Sequence, residues 1–247
     1  MRKIFLAVVV VAAILASVLS VATRAEDASP LDTMGSMAAH RGGAALYPEN
    51  TLTAFKNIHQ DMPDVILEMD VRGLKDGTLV IWHDATVDRN TNATGKVADM
   101  TKAQWANLRV NGPGGTAPAT TLQEVLDEFA GTDVPMFIEL KDTTVTDKFI
   151  ETLHPHREQI VAASFKPDIA SRLARSGFHT MQLSTPPVEP VDGVEYVGFS
   201  NSRTTKQYVD AHPDVKVWAW GDDVTVDMAE SDQRGLAGFI ANNPRGS

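Results

Sequence analysis

Short runs of β-branched and apolar residues alternate with stretches of helical periodicity along most of this chain. Candidate strands lie at 37–40, 65–71, 79–83, 135–141, 160–165, 179–184, 195–200, 215–220 and 238–242. Candidate helices lie at 51–60, 121–129, 146–153, 167–176, 204–211 and 224–231. Strands that alternate with helices form βα units around a parallel sheet. With this many units, the pattern predicts an α/β protein with a (β/α)₈ TIM barrel in one domain.

The barrel is expected to be distorted, because there is one candidate strand too many. The runs 65–71 and 79–83 are joined by a segment too short for a helical crossover, and Asp76-Gly77 within it is a turn signal. Residues 84–120 are polar, contain Gly and Pro, and have little periodicity. The sequence therefore predicts an excursion after the third strand, either a lid or a small insertion near the site.

The first residues of the chain have the pattern of an export signal. Arg2 and Lys3 precede an uninterrupted apolar run from 4 to 22, and small residues before a cut after Ala22, or as late as Ala25, suit a signal peptidase. This predicts a signal peptide over 1–22, an N-terminal tail over 23–35 and the barrel over 36–247, with a secreted or cell-envelope location. The alternative is an uncleaved membrane anchor, since about 18 apolar residues can span a bilayer. Removal of the signal would leave no stable span.

Charge excludes one class of partner. The formal net charge is −10, and loss of residues 1–22 removes Arg2 and Lys3 but no acidic residue. Binding to nucleic acid relies on Lys and Arg that neutralise phosphates, so no nucleic-acid partner is expected. A small-molecule substrate at a focused site is expected instead, and no oligomeric state follows from the sequence. The chain has no Cys, so no disulfide supports the exported fold.

Carboxylates lie at the ends of two apolar strands. Glu68 and Asp70 share one face of the run 65–71, because side chains alternate along a strand. Buried carboxylates need a partner, and a cation or an ion pair with Arg or Lys would serve equally. Glu139 and Lys141 share a face in the same way, close to the strand end where barrels carry their active sites.

Two histidines also stand at strand ends. His40 and His83 are suited to proton transfer near neutrality. Arg41 follows His40 and can bind a phosphate through two hydrogen bonds. Glu49 and Asn50 precede a helix, where capping and a role in the site are equally compatible with the pattern.

Two tryptophans share a face of a late strand. Trp218 is expected in the core, whereas Trp220 lies nearer the strand end. Trp220 is therefore a candidate wall of the substrate site.

Taken together, the motifs resemble the glycerophosphodiester phosphodiesterase family, one of the phospholipase C-like phosphodiesterase barrels. The matching segments in chain order are HRG at 40–42, PENTL at 48–52, EMDV at 68–71, KDG at 75–77, HD at 83–84, TLQEVL at 121–126 and IELK at 138–141. Their joint order and spacing are far more specific than any one of them.

The resemblance implies a distorted barrel enzyme, a phosphoric diester hydrolase that converts glycerophosphodiesters to glycerol 3-phosphate and an alcohol. It implies a divalent metal ion held by Glu68, Asp70 and Glu139, with Glu49 close to the site. Oxygen ligands favour Ca²⁺ or Mg²⁺, and Mn²⁺ also fits.

The resemblance also implies that His40 and His83 form a general acid–base pair and that Arg41 and Lys141 contact the phosphate. The last third departs from the family pattern at 218–222 and at 241–244. These departures leave the alcohol group open.

Two alternatives remain at this point. A phospholipase D-like or lysophospholipid phosphodiesterase would use the same chemistry on a lipid. A non-catalytic exported protein could bind phosphodiesters on the same barrel, although the presence of both histidines favours an enzyme.

Overall fold

Eight parallel strands close into a barrel in the computed structural model, which describes residues 29–221 and 233–246. The order around the sheet is β1-β11-β10-β9-β8-β7-β6-β2, and β1 also pairs with β2. The barrel strands are β1 (Met37–Ala39), β2 (Ile66–Gly73), β6 (Met136–Leu140), β7 (Ile160–Ser164), β8 (His179–Ser184), β9 (Tyr196–Ser200), β10 (Lys216–Gly221) and β11 (Gly238–Ala241). The predicted distorted (β/α)₈ barrel is confirmed.

Helices follow most of the barrel strands and cover the outside of the sheet. They are α1 (Leu52–Asp61), α3 (Leu122–Glu128), α4 (Thr146–Leu153), α5 (Pro167–Arg175) and α6 (Lys206–Ala211), whereas α2 (Lys102–Ala106) lies in an insertion. All except α2 lie close to predicted positions. Within the described ranges no helix is long and apolar enough to cross a bilayer. The predicted signal peptide over 1–22 and the predicted helix over 224–231 lie outside the described residues.

The core has two layers that follow from the alternation of side chains along the strands. On β2, Leu67 and Met69 face outward into the layer between sheet and helices, where Phe55 of α1 is fully buried. Ile66 faces the barrel interior and packs with Phe137 and Trp218. Glu68 and Asp70 share the parity of Ile66, so β2 directs both carboxylates into the barrel.

The excursion after the third strand is a small insertion with its own core. β3 (Leu79–Ile81) pairs antiparallel with β2 outside the barrel. Residues 82–120 then carry α2 and a hairpin of β4 (Arg109–Gly112) and β5 (Gly115–Pro118), which the sequence did not predict. Trp82 and Trp105 meet edge to face at 5.8 Å in its core. The hairpin packs so tightly that a Cβ added at Gly112 would lie 2.6 Å from Cα of Pro48.

Candidate active site

Seven of the ten predicted site residues line one cavity of about 160 Å³ at the carboxyl end of the barrel. Residues from β2, β6, β8, β10 and β11 and from the segments that follow β1, β3, β6 and β7 line it. The lining residues are His40, Arg41, Glu68, His83, Glu139, Lys141, Phe165, Leu183, Trp220 and Ile240. A larger cavity of about 510 Å³ lies among residues 30–35, 59–64 and 132–135, which precede strands. It contains none of the predicted site residues, so the smaller cavity is the candidate active site.

Three buried carboxylates form the polar floor of this site. Glu68, Asp70 and Glu139 are 6%, 1% and 6% exposed, and each offers an oxygen within 4.8 Å of the others. The sheet register explains their closeness, because Asp70 of β2 lies directly beside Glu139 of β6. Strand parity predicted that Glu68 and Asp70 share a face, and only the family resemblance added Glu139 to them.

Two cations contact the carboxylates from the side. Nζ of Lys141 lies 2.8 Å from Oε1 of Glu139 and 3.3 Å from Oδ1 of Asp70. Nε of Arg41 lies 3.4 Å from Oδ2 of Asp70. The ion pairing left open by the sequence is therefore present. Burial would lower the pKa of Lys141, but Asp70 and Glu139 outweigh it and raise that pKa above its usual range.

The two cations do not balance the negative charge of the three carboxylates. Burial, with repulsion from Asp70, raises the pKa of Glu68 well above its usual value. Burial also raises the pKa of Glu139 to about 7, although Lys141 opposes it. Burial acts the same way on Asp70, but Lys141 and Arg41 prevail and hold the pKa of Asp70 below its usual value. A buried group of oxygen donors whose ionisation is opposed by mutual repulsion fits a hard divalent cation.

The turn after β1 aims Arg41 at this cluster. Arg41 has a left-handed backbone (φ 52°), and its N–H donates to Oε2 of Glu68 at 2.7 Å. Gly42 follows with φ 80°, and a Cβ there would lie 2.9 Å from the ring of Phe55. The HRG motif is thus a backbone requirement as well as a source of side chains.

Asn50 does not cap α1, because Thr51 holds that position and its side chain accepts from N of Ala54. Asn50 is instead 1% exposed, and its side-chain amide hydrogen-bonds Asp70. Glu49 accepts from Nη1 of Arg41 at 3.2 Å. Among the described residues, Glu49 is not one of the cavity-lining group or of the acidic cluster. Asn50 therefore contacts the cluster through Asp70, and Glu49 contacts it indirectly through Arg41.

Each predicted catalytic histidine is held through Nδ1. Nδ1 of His40 lies 2.6 Å from Oδ1 of Asn242, and Nδ1 of His83 lies 2.7 Å from Oδ1 of Asp84. Burial favours a raised pKa for Asp84, but hydrogen bonds with His83 and Arg89 outweigh it and keep the pKa low. Asp84 is therefore the ionised acceptor and Nδ1 of His83 the donor.

Burial also lowers the pKa of His83, with Asp70 opposing the shift. This histidine is therefore neutral near pH 7, with its lone pair on Nε2.

Part of the cavity lining is apolar, and sequence reasoning missed most of it. Phe165, Leu183 and Ile240 join Trp220 there. The rings of Phe165 and Trp220 meet edge to face at 5.5 Å, and Phe165 is the one large apolar side chain left exposed among the described residues, at 37%. Trp220 lines the cavity as predicted, and Trp218 is buried in the core as predicted.

Sequence and structure comparisons agree on the family. The profile of the Glycerophosphoryl diester phosphodiesterase family matches residues 40–176. The glycerophosphodiester phosphodiesterase of Bacillus subtilis is 29% identical over 205 residues, 72% of this chain and 68% of the relative. The enzyme of the same name from Caldanaerobacter subterraneus is 36% identical over 138 residues, and this match spans 51% of this chain and only 56% of the relative.

Solved structures show the same fold. A phosphodiesterase of Oleispira antarctica, in complex with the product sn-glycerol-3-phosphate, superposes with a TM-score of 0.74 at 20% identity, covering 87% of this chain and 96% of its own. A glycerophosphodiester phosphodiesterase of Agrobacterium tumefaciens gives 0.68 at 23% identity, covering 85% and 98%. Fold and site define a phosphodiesterase-type barrel. The chain belongs to the Glycerophosphoryl diester phosphodiesterase family, a family of phosphoric diester hydrolases.

Proposed function

We propose that this protein hydrolyses glycerophosphodiesters to glycerol 3-phosphate and an alcohol, with a divalent metal ion and two histidines. Family membership supports the reaction class. The observation that carries the proposal is the meeting, at one cavity, of three buried carboxylates, two cations and two histidines held through Nδ1.

Glu68, Asp70 and Glu139 would hold the metal ion, and their oxygen donors favour Ca²⁺, Mg²⁺ or Mn²⁺. When bound, such an ion offsets negative charge on a phosphodiester as that charge grows during the reaction. The raised pKa values of Glu68 and Glu139 support this assignment, because the cluster favours added positive charge over full ionisation.

Arg41 and Lys141 supply fixed positive charge for the substrate phosphate. Both line the cavity and both keep pKa values above their usual range, so they stay charged at any physiological pH. A phosphodiester is an anion that resists attack by nucleophiles, and preorganised cations lower that barrier.

The histidines move the protons. The neutral ring that donates Nδ1–H to a fixed acceptor has a lone pair on Nε2, which can accept a proton from the attacking hydroxyl or water. The second histidine, when protonated, gives a proton to the departing alcohol oxygen. A positioned group of this kind accelerates a reaction by about 10²–10⁴-fold.

The cavity favours a small substrate. Its volume of about 160 Å³ is below the roughly 300–1,000 Å³ of pockets that enclose drug-sized ligands. It suits the glycerophosphoryl part of a substrate, whose carbon face would lie against Leu183 and Ile240, with the alcohol near exposed Phe165.

We also propose export, on the strength of the basic start and apolar run over 1–22. N-terminal sequencing of the protein recovered from the producing cells tests this. A mature chain that begins after Ala22 or Ala25 supports secretion, and an intact Met1 in the membrane fraction supports an anchor.

The substrate class is tested with a panel of diesters. Release of glycerol 3-phosphate is measured from glycerophosphocholine and glycerophosphoethanolamine, and lysophosphatidylcholine is tested beside them. Faster turnover of the water-soluble diesters supports the proposal. Faster turnover of the lipid supports a lysophospholipid phosphodiesterase, and binding without turnover of any diester supports a non-catalytic binding protein.

A further inference from the structure

Arg89 of the insertion contacts two carboxylates that each hold a residue of the candidate active site. Its Nε donates to Oδ2 of Asp84 at 2.6 Å. Its Nη2 and Nη1 donate to Oε1 and Oε2 of Glu49 at 2.5 and 3.1 Å. All three guanidinium nitrogens are therefore engaged, in the planar geometry that Arg has and Lys lacks.

Each of the two carboxylates also hydrogen-bonds a residue that lines the cavity. Asp84 uses its other oxygen for Nδ1 of His83 at 2.7 Å. Oε1 of Glu49 also accepts from Nη1 of Arg41 at 3.2 Å. An unbroken series of hydrogen bonds thus runs from Arg41 through Glu49, Arg89 and Asp84 to His83.

The segment that carries Arg89 is itself fixed to the rest of the insertion. N of Val87 donates to O of Gly95 at 2.9 Å, and N of Gly95 donates to a carboxylate oxygen of Asp88 at 2.7 Å. N of Asn111, in the hairpin, donates to O of Asn90 at 2.7 Å. The guanidinium is therefore held by an ordered loop, although Arg89 is 46% exposed.

We propose that Arg89 is a positioning residue, which couples the fold of the insertion to the catalytic site by fixing Asp84 and Glu49, and through them His83 and Arg41. The inference rests on the proposed function for its kinetic consequence. Arg89 is not among the residues that line the cavity. Its effect is on the orientation of the two groups that do, and a small misplacement of a catalytic group can cost about 10²-fold in rate.

A merely structural ion pair would behave differently. Exposed ion pairs contribute little to folding stability, so loss of Arg89 as a surface charge would leave activity and melting temperature almost unchanged. Loss of Arg89 as a positioning residue would lower kcat while the fold stays intact. The two roles are therefore separated by comparing rate with stability.

The test uses Arg89→Met, Arg89→Lys and, as a matched control, Arg109→Met. The control removes an exposed Arg of the same insertion whose side chain, within the described residues, hydrogen-bonds only the carbonyl of Leu108. We expect Arg89→Met to lower kcat by about 10- to 100-fold with KM changed by less than about threefold. Arg89→Lys is expected to recover part of the loss, and Arg109→Met to match the parent protein. A kcat for Arg89→Met equal to that of Arg109→Met overturns the proposal.

A double variant tests the route through Asp84. If Arg89 acts through this carboxylate, the fold reduction in kcat of the double variant Arg89→Met, Asp84→Ala is far smaller than the product of the fold reductions of the two single variants. Losses that multiply contradict the coupling.

A readout without substrate separates this inference from the proposed function. The ring ¹⁵N signals of His83 in labelled protein report which nitrogen carries the proton. We expect one Nδ1–H form in the parent and a mixture of forms in Arg89→Met. If the parent protein turns over no diester but Arg89→Met still shows the mixture of forms, the proposed function is refuted and the coupling stands. A single unchanged form in Arg89→Met refutes the coupling.

Discussion

Asn50 and Asp70 exchange two hydrogen bonds beneath the candidate active site. Nδ2 of Asn50 donates to Oδ2 of Asp70 at 2.8 Å, and the backbone N–H of Asp70 donates to Oδ1 of Asn50 at 3.2 Å. Asn50 does this from a left-handed backbone (φ 55°) that few residues other than Gly adopt. Asn tolerates this conformation and also carries a side-chain amide. Position 50 therefore requires both a left-handed backbone and an amide that can hydrogen-bond Asp70.

Substitution of Asn50 separates the contribution of the left-handed backbone from that of the hydrogen bonds to Asp70. Asn50→Gly keeps the backbone but removes both hydrogen bonds, of which the bond to the buried carboxylate alone contributes about 1.5–3 kcal/mol to the free energy of unfolding. Asn50→Ala removes the same two bonds and adds a cost of about 1–2 kcal/mol for the left-handed backbone. Urea unfolding of the metal-free protein measures both. Equal stability of the Gly and Ala variants would contradict the role assigned to the backbone.

Metal affinity is expected to depend on pH. The metal-free Glu139 carboxyl has a pKa of about 7, raised first by burial, and that of Glu68 is raised well above its usual value. Below about pH 7 a metal ion must displace protons from these oxygens, so affinity falls as pH falls and each binding event releases protons. Calorimetry at about pH 6 and about pH 8, in two buffers of different ionisation enthalpy, measures both effects. Affinity that is equal at the two pH values, without proton release, would count against these groups as ligands.

Glu68→Gln tests the ligand set directly. The amide keeps the size of the side chain but lacks the charge, so the dissociation constant for Ca²⁺ or Mg²⁺ is expected to rise more than about tenfold. Glu128→Gln is the matched control, because Glu128 is paired with Lys56 on the surface. Calorimetric affinity that is the same in both variants would remove Glu68 from the metal site.

The two histidines are expected to be needed for turnover but not for folding. His40→Ala and His83→Ala should each lower kcat by about 10²–10⁴-fold. His156→Ala, outside the cavity, should keep full activity. Steady-state kinetics and far-UV circular dichroism together measure this. Near-normal turnover in either His40→Ala or His83→Ala, with a native spectrum, would refute the paired-histidine mechanism.

Local pattern was sufficient to predict the barrel strands and the shared face of Glu68 and Asp70. The period of two places these two carboxylates together on β2, and Glu139 with Lys141 on β6. The family resemblance was needed to join the three carboxylates in one site. Local pattern also served for Trp220, whose position near the end of β10 predicted its place at the cavity. Adjacent strands then bring these positions together.

Contacts between distant segments could not be predicted in this way. Asn242 holds His40 across 202 positions of sequence, and no local pattern marks it. Arg89 lies in a segment without periodicity. It reaches Glu49 because the insertion packs against the segment that contains Pro48, and this packing cannot be read from local sequence. Asp84 was adjacent to His83 in the sequence, which was the one available signal for its role.

The central claim is that a metal-loaded carboxylate cluster and a histidine pair hydrolyse glycerophosphodiesters. The most direct measurement is release of glycerol 3-phosphate from glycerophosphocholine in EDTA, and again after Ca²⁺ or Mg²⁺ is restored, for the parent protein and Glu139→Gln. We predict that EDTA abolishes turnover, that one of these ions restores it in the parent, and that the same ion concentration fails to restore Glu139→Gln. Undiminished turnover of the folded parent protein in EDTA would contradict the account.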